Sequence, residues 1–419
     1  MTLHPILAAL RRHKAGVVLI SLQIALTLAI VCNAVFIIGQ RIERLNRPTG
    51  LNEQNLFMVE QGWVGAPTGD DAASIEKLDS MQLADLATLR NLPDVVSVAA
   101  TNTMPLTNNS WGGGISLKPD QKHATTRTVF YMGDEQLIPT LQLHVVAGRA
   151  FNAGDIQHQG FRDTATPPVI IVTQPVADKL FPKGDALGKT VYLDGNRAST
   201  IIGIVERLQT SSADRSNDAV AFNAVLEPVR LDAFFSRYVV RTKPGREQAV
   251  MRNASAALYA ANPMRVIDDD AADESGIRSF AQIRATAYEG DLGMAILMSV
   301  VCLILLCVTA AGIVGLTSFW VGQRHRQIGV RRALGARKID ILHYFQIENL
   351  LIAGGGVIVG VALAVGLNML LMAHYEMARM PVSYMLTGVL AMLAIGQAAV
   401  FVPARRASNV PPVVATRAA

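Results

Sequence analysis

The sequence predicts an α+β membrane protein: four transmembrane helices in a one-plus-three order, with a large two-subdomain α+β extracytoplasmic domain inserted between the first and second. Three observations carry this reading. Of 419 residues, 51% are hydrophobic and only 17% are charged, too apolar for an ordinary soluble enzyme. The apolarity is concentrated in residues 16–38, 292–321, 349–373 and 381–403, none of which contains Asp, Glu, Lys or Arg. Basic residues then cluster beside these stretches on alternate sides of the chain order.

Each apolar stretch reaches the roughly 20 residues that a spanning helix needs. The first is longer than a signal-peptide core, and no Ala-x-Ala site follows it, so it reads as an uncleaved anchor. Val31 before Cys32 is too bulky for a lipoprotein site. Arg11, Arg12 and Lys14 precede the first span. Arg324, Arg326, Arg331, Arg332, Arg337 and Lys338 lie between the second and third, and Arg405, Arg406 and Arg417 follow the fourth. Within residues 1–15, 322–345 and 404–419 Asp340 is the one acid, so these segments are expected on the cytoplasmic side. Arg41, Arg44 and Arg47 oppose the rule, diluted by Glu43. The net charge of +5 is thus an orientation signal, and nucleic-acid binding is excluded as the leading function.

The expected divisions follow from this. Residues 1–15 form a cytoplasmic segment, 16–46 the first span with a stalk, and 47–273 the ectodomain. Residues 274–321 form a second stalk and span, 322–345 a cytoplasmic loop, 346–373 and 381–403 the last two spans, and 404–419 a cytoplasmic tail. The ectodomain contains no cysteine, so ordinary cores must hold it. Strands are expected at 56–60, 95–100, 129–132, 145–151, 169–172, 190–193, 201–205 and 238–241. Helices are expected at 81–90, 135–141, 176–181 and 245–261; the last sets Val250, Ala254, Ala257, Leu258 and Ala261 on one face. Asn108–Ser110 and Gly112–Gly114, around Trp111, read as a loop.

No catalytic or metal-ligand spacing emerges: there is no His-Glu-x-x-His, no Gly-x-Ser-x-Gly and no Cys/His pattern. Asp268, Asp269 and Asp270 read as a loop acid run rather than a cation site, and the Asn253-Ala-Ser255 sequon falls mid-helix. The run Gly184-Asp-Ala-Leu-Gly-Lys-Thr190 imitates a phosphate-binding loop. Its glycines have three residues between them where four are needed, and it passes from helix to strand rather than strand to helix. It reads as a turn.

The sharpest signal is the loop at 323–345. A mere connection needs only a few residues; this one alternates basic side chains with Ile328, Val330 and Leu334, breaks at Gly335, and restarts with Ile339, Leu342 and Phe345 on one arc. Such a helix–turn–helix suits docking, beyond what lipid-headgroup anchoring requires. Gly356 and Gly360 form a small-xxx-small pair, for packing within the subunit or between two.

The stretch RHRQIGVRRALGARKIDIL resembles the cytoplasmic loop of FtsX-like permeases, the membrane subunits of type VII ABC transporters typified by MacB. The stretches LIPTLQLHVVAGRAFNAGD and VIIVTQPVADKLFPKGDALGKTVYL are similar to the MacB-type periplasmic core domain, and PARRAS followed by PPVVATR to the family's tail. The resemblance implies that Arg324, Gln327, Ile328, Gly329, Arg331, Arg332, Ala333, Leu334, Gly335 and Ala336 form the contact with a cytoplasmic ABC ATPase subunit. Gln327 stands where the family usually has Glu, exchanging a charge-assisted contact for a neutral one. It also implies a second permease copy or paralogue, a periplasmic adaptor and an outer-membrane channel. On this reading the chain has no catalytic residues and no cofactor of its own; ATP is bound by the partner ATPase, and ATP-driven motion reaches the ectodomain through the stalks. Substrate export is the leading expectation. The alternatives are FtsX-like mechanotransmission to a periplasmic hydrolase, or lipoprotein release.

Overall fold

A computed structural model describes residues 14–69, 71–109, 111–161, 166–213, 215–268, 275–375 and 377–409. Arg11, Arg12, Arg417, Asp269 and Asp270, named above, lie outside these. The chain forms two compact units: Met1–Asn46 with Gly290–Ala419, and Arg47–Glu289.

The second unit begins with β1 (Leu56–Trp63), α2 (Ala72–Arg90), β2 (Val95–Thr101), β3 (Trp111–Ser116) and β4 (Thr126–Met132), following α1 (Lys14–Leu45) of the first. Then come α3 (Leu137–Leu141), β5 (Val145–Gly148), β6 (Gln157–Gly160), β7 (Val169–Thr173), α4 (Gln174–Leu180), β8 (Thr190–Leu193) and β9 (Arg197–Val205). It continues through β10 (Ala224–Glu227), β11 (Val229–Asp232), β12 (Phe235–Thr242), α5 (Glu247–Ala261), β13 (Arg265–Val266) and β14 (Ile277–Ser279). The remaining helices are α6 (Phe280–Gln323), α7 (His325–Ala333), α8 (Lys338–Tyr375) and α9 (Val382–Ser408).

Two sheets divide the ectodomain, as the alternating short elements predict. One orders its strands β13-β1-β12-β2, with β14 also on β1. Leu86 and Leu89 of α2 and Val250, Ala254 and Leu258 of α5 bury against its Phe57, Val59, Val98, Tyr238 and Val240. Ala261, expected on that face of α5, is exposed. The other sheet runs β5-β9-β7-β10-β4-β3-β8, and β8 also pairs with β9, so six strands close on themselves around Ile115, Ile170, Val172, Val191 and Ile201. A parallel pair, β6 and β11, stands apart from both.

Two local expectations are corrected. The glycines after Trp111 are in β3, not in a loop. They are required by close approach: a Cβ on Gly113 would lie 1.9 Å from Asp194 Oδ1, and one on Gly114 2.5 Å from Ala124 Cβ. The helix of the second span starts at Phe280 rather than 274, because residues 277–279 pair with β1. A capping box fixes that start: Gln282 N–H donates to Ser279 Oγ at 3.1 Å, and Ser279 N–H to Gln282 Oε1 at 2.9 Å.

In the first unit, α1, α6, α8 and α9 are each long and apolar enough to cross a membrane. Gly356 and Gly360 of α8 face α1: a Cβ on Gly356 would lie 2.7 Å from Ser21 O, and one on Gly360 3.0 Å from Ala25 Cα. The small-xxx-small pair therefore packs within the subunit. Asn33 donates to Ala364 O at 3.0 Å, and Thr27 and Thr309 hydroxyls meet at 2.8 Å, so polar atoms inside the spans find neutral partners. The arginines that oppose the charge asymmetry are paired: Arg41 and Arg44 (2.9 Å) with Asp291, and Arg47 with Asp218 at 2.9 Å.

Candidate functional site: the loop between the second and third spans

The loop begins where α6 stops at Gln323. Arg324 then turns inward: its Nη1 donates to both carboxylate oxygens of Glu348, at 2.9 and 2.8 Å. Glu348 is one helical turn beyond Tyr344 on α8, and its side chain is 3% exposed. The pair therefore ties the entry of α7 to α8. Ile328, one turn on, is buried in a cluster with Ile341, Phe345, Val400, Ala404 and Ala407, so α9 closes the inner side. Arg331 lies over the Tyr344 ring, 5.0 Å from its centroid, and Tyr344 meets Phe345 edge-on.

The exit of α7 is a Schellman cap. Gly335 has φ +99°, its N–H donates to Arg332 O at 3.2 Å, and Ala336 N–H donates to Arg331 O at 3.0 Å. Gly335 supplies the left-handed residue at no steric cost. Two residues on, α8 starts with Asp340 accepting from Arg337 N–H at 2.9 Å, which restarts the chain as a helix.

This geometry divides the predicted contact residues. Gln327, Arg331, Ala333, Leu334 and Gly335 are exposed, and Leu334 is 83% exposed. Arg332 and Ala336 are half-buried, joined by an Arg332 Nη1 to Ala336 O bond of 3.2 Å. Ile328 and Gly329 are buried, and Arg324 is held by Glu348. The apolar set is also split: Ile328 faces inward, whereas Val330 and Leu334 face out. On α8 the buried arc is Ile341, Phe345 and Ile352; Ile339 is exposed, a correction to the arc expected from spacing. Glu348 was missed because its partner is 24 residues away on another helix. Its signal was a lone acid at the edge of an apolar stretch.

The chain matches the family described as FtsX-like permease C-terminal over residues 299–412, which includes the whole loop. Residues 19–257 match the MacB-like periplasmic core domain, more than half of the chain. The chain belongs to the MacB-like family of ABC-transporter permeases. Among similar proteins, a macrolide export ATP-binding/permease protein MacB of Neisseria gonorrhoeae is 27% identical over 296 residues, which is 69% of this chain and 43% of that protein. A MacB 1/2 protein of Paracoccus denitrificans is 25% identical over 98% of this chain and 57% of its own length. This MacB-like chain thus spans about half the length of those relatives. The periplasmic region of MacB from Actinobacillus actinomycetemcomitans aligns with a TM-score of 0.34 at 15% identity, covering 58% of this chain and 97% of that one.

The rival motif is a turn here, too. Gly184 and Gly188 have φ +81° and +78°, between the end of α4 and the start of β8, and Lys189 pairs with Asp185 at 3.5 Å on the surface.

Proposed function

We propose that this MacB-like permease works with a separate cytoplasmic ABC ATPase subunit, which docks on the exposed face of α7, and that two permease copies or paralogues act together. The observation that carries this is Leu334: a large apolar side chain 83% exposed at the end of a basic helix whose opposite face is locked down. A helix fixed to α8 by Arg324–Glu348 and Ile328 transmits a push instead of yielding to it. Gln327, Val330, Arg331 and Leu334 recur at helical spacing on the open side, where an apolar-and-acidic partner groove fits them.

The orientation, with the loop cytoplasmic and the ectodomain periplasmic, is supported by the basic excess around 324–338 and by the neutralisation of Arg41 and Arg44 by Asp291. The reaction class is ATP-driven movement of the ectodomain. The similar proteins are named for macrolide export. Export of a substrate through an adaptor and an outer-membrane channel is the reading we adopt.

The test is copurification from native membranes with ATPase assay. Leu334→Asp combined with Arg331→Glu is expected to reduce ATPase recovery and ATP-dependent activity by at least about tenfold, the effect of removing an interface anchor. The permease should lose no more than about 1 kcal/mol of stability, that of the exposed Arg331–Tyr344 contact, since both substituted side chains are exposed. An undiminished complex would remove the docking face from α7.

A further inference from the structure

The ectodomain brings together three side chains that no sequence spacing connects. Asp79 is on α2, His158 on β6 and Asp232 at the end of β11. His158 Nδ1 is 3.0 Å from Asp79 Oδ1 and 3.5 Å from Asp232 Oδ2, and one ligand atom from each residue lies within 4.8 Å of the others. Ligands about 2.0–2.1 Å from a tetrahedral zinc ion stand roughly 3.3 Å from one another. The two imidazole–carboxylate separations are close to that spacing, and the two carboxylates lie within 4.8 Å of each other.

Asp232 is the second, independent observation. Its side chain is fully buried, yet neither carboxylate oxygen receives a hydrogen bond; the imidazole 3.5 Å away is the group it faces. A buried carboxylate without donors is costly unless a cation meets it.

Arg230, also on β11, meets two of these three side chains and leaves Asp232 without a hydrogen bond. Its Nε donates to Asp79 Oδ1 at 2.7 Å. Its Nη2 is 2.9 Å from His158 Nε2 and 3.3 Å from Nδ1. A donor in the ring plane on one nitrogen would be much farther from the other. The near-equal distances therefore lay the guanidinium on the imidazole face, a usual place for arginine. Outer groups of this kind orient metal ligands.

We propose that Asp79, His158 and Asp232 bind a divalent transition-metal cation, with Arg230 as the positioning residue. Two carboxylates and one imidazole suit zinc, manganese or ferrous iron better than the all-oxygen preference of calcium or magnesium. The ion ties α2, which lies on the five-stranded sheet, to the separate β6–β11 pair. The exposed side of His158 leaves a position for water.

The experiment uses the full chain in detergent, stripped of metal with a chelator, with zinc chloride as the probe and magnesium chloride as the control. Wild-type protein is expected to take up one tightly bound zinc per chain and to melt at a higher temperature with it, and to show no shift with magnesium. His158→Ala and Asp232→Asn should each weaken zinc binding by more than about tenfold, as expected for loss of metal-site groups. Without metal, Asp232→Asn should melt no lower than wild type, because it removes an unpartnered buried charge; this separates a lost ligand from a damaged fold. Failure of the wild type to bind stoichiometric zinc overturns the proposal. So does zinc retained by both variants, which would assign it to surface histidines.

Discussion

In the membrane-spanning unit the half-buried ion pairs lie at the ends of the apolar stretches, Arg324 with Glu348 and Arg41 and Arg44 with Asp291, whereas the ectodomain buries charge inside its core. There Arg265 Nη2 meets Asp85 Oδ1 at 2.8 Å, with the two side chains 0% and 3% exposed. Tyr238 donates its hydroxyl to Asp85 Oδ2 at 3.1 Å, and Gln61 bonds both partners. Between their ends, the described spans rely on neutral contacts and glycines. The difference teaches where charge can be tolerated. Hydrocarbon offers no donors, so an ionised group is kept at its boundary, where it marks a junction that must hold its shape. A folded ectodomain can surround a charge with donors and keep it anywhere.

The sharpest way to break that comparison is Asp85→Ala. It leaves the Arg265 guanidinium buried without its carboxylate, which costs about 3–5 kcal/mol. The full chain in detergent should show an ectodomain transition lowered accordingly, with the membrane helices still folded by circular dichroism. If the loss is below about 1 kcal/mol, the network is not what holds β13 and α2 to β1.

Next in size is a pH effect. Burial pushes Glu227 up to about 7, with Arg197 opposing it and Asp194 adding to it, and burial pushes Asp134 up to about 6. Both folded-state values lie above the ordinary carboxylate range, so the folded state holds these protons more tightly than the unfolded one. Their contribution is complete below about pH 4 and fades as pH rises through 6 and 7. Glu227→Gln keeps a neutral side chain at every pH. Relative to wild type it should gain up to about 3 kcal/mol between pH 4 and pH 8, read as the difference between the two melting profiles. Equal slopes for the two proteins would count against a buried, protonated Glu227.

A smaller effect should come from the helix packing. Gly356→Ala puts a methyl group against Ser21 O, where space ends at 2.7 Å, and should cost about 1–2 kcal/mol. Gly354→Ala, with nothing within 4 Å, should be neutral. Thermal denaturation in detergent checks both, and equal behaviour would deny the α1–α8 contact.

How much of this was legible follows the same division. The spans could be read because a bilayer demands only length and apolarity, and the loop because Gly335 and its arginines stand out against that background. The strand at 111–116 could not: its glycines look like a loop until Asp194 and Phe130 are known to press on them. Spacing alone places Ile339 inward, whereas the buried side of α8 is set mainly by α1 and α9. Arg324 with Glu348, and Asp79 with His158 and Asp232, are contacts between elements, which sequence periodicity along one helix or strand does not encode.

The smallest expected effect tests the likeness between two glycine-and-basic clusters. Lys189 resembles a nucleotide-loop lysine in sequence, but its ammonium pairs with Asp185 four residues earlier, and both side chains are at least half exposed. An exposed pair of this kind contributes well under about 1 kcal/mol. Lys189→Ala should therefore change stability by less than about 0.5 kcal/mol, as surface substitutions do. It should also leave ATP-dependent activity of the assembled transporter unchanged, while the Leu334 and Arg331 variant loses it. Loss of ATP dependence in Lys189→Ala with the fold intact would move the nucleotide-responsive element out of the α7 loop. Gly184 and Gly188 explain why the cluster exists without that role: their positive φ values turn the chain from α4 into β8, and Lys189 simply follows the turn.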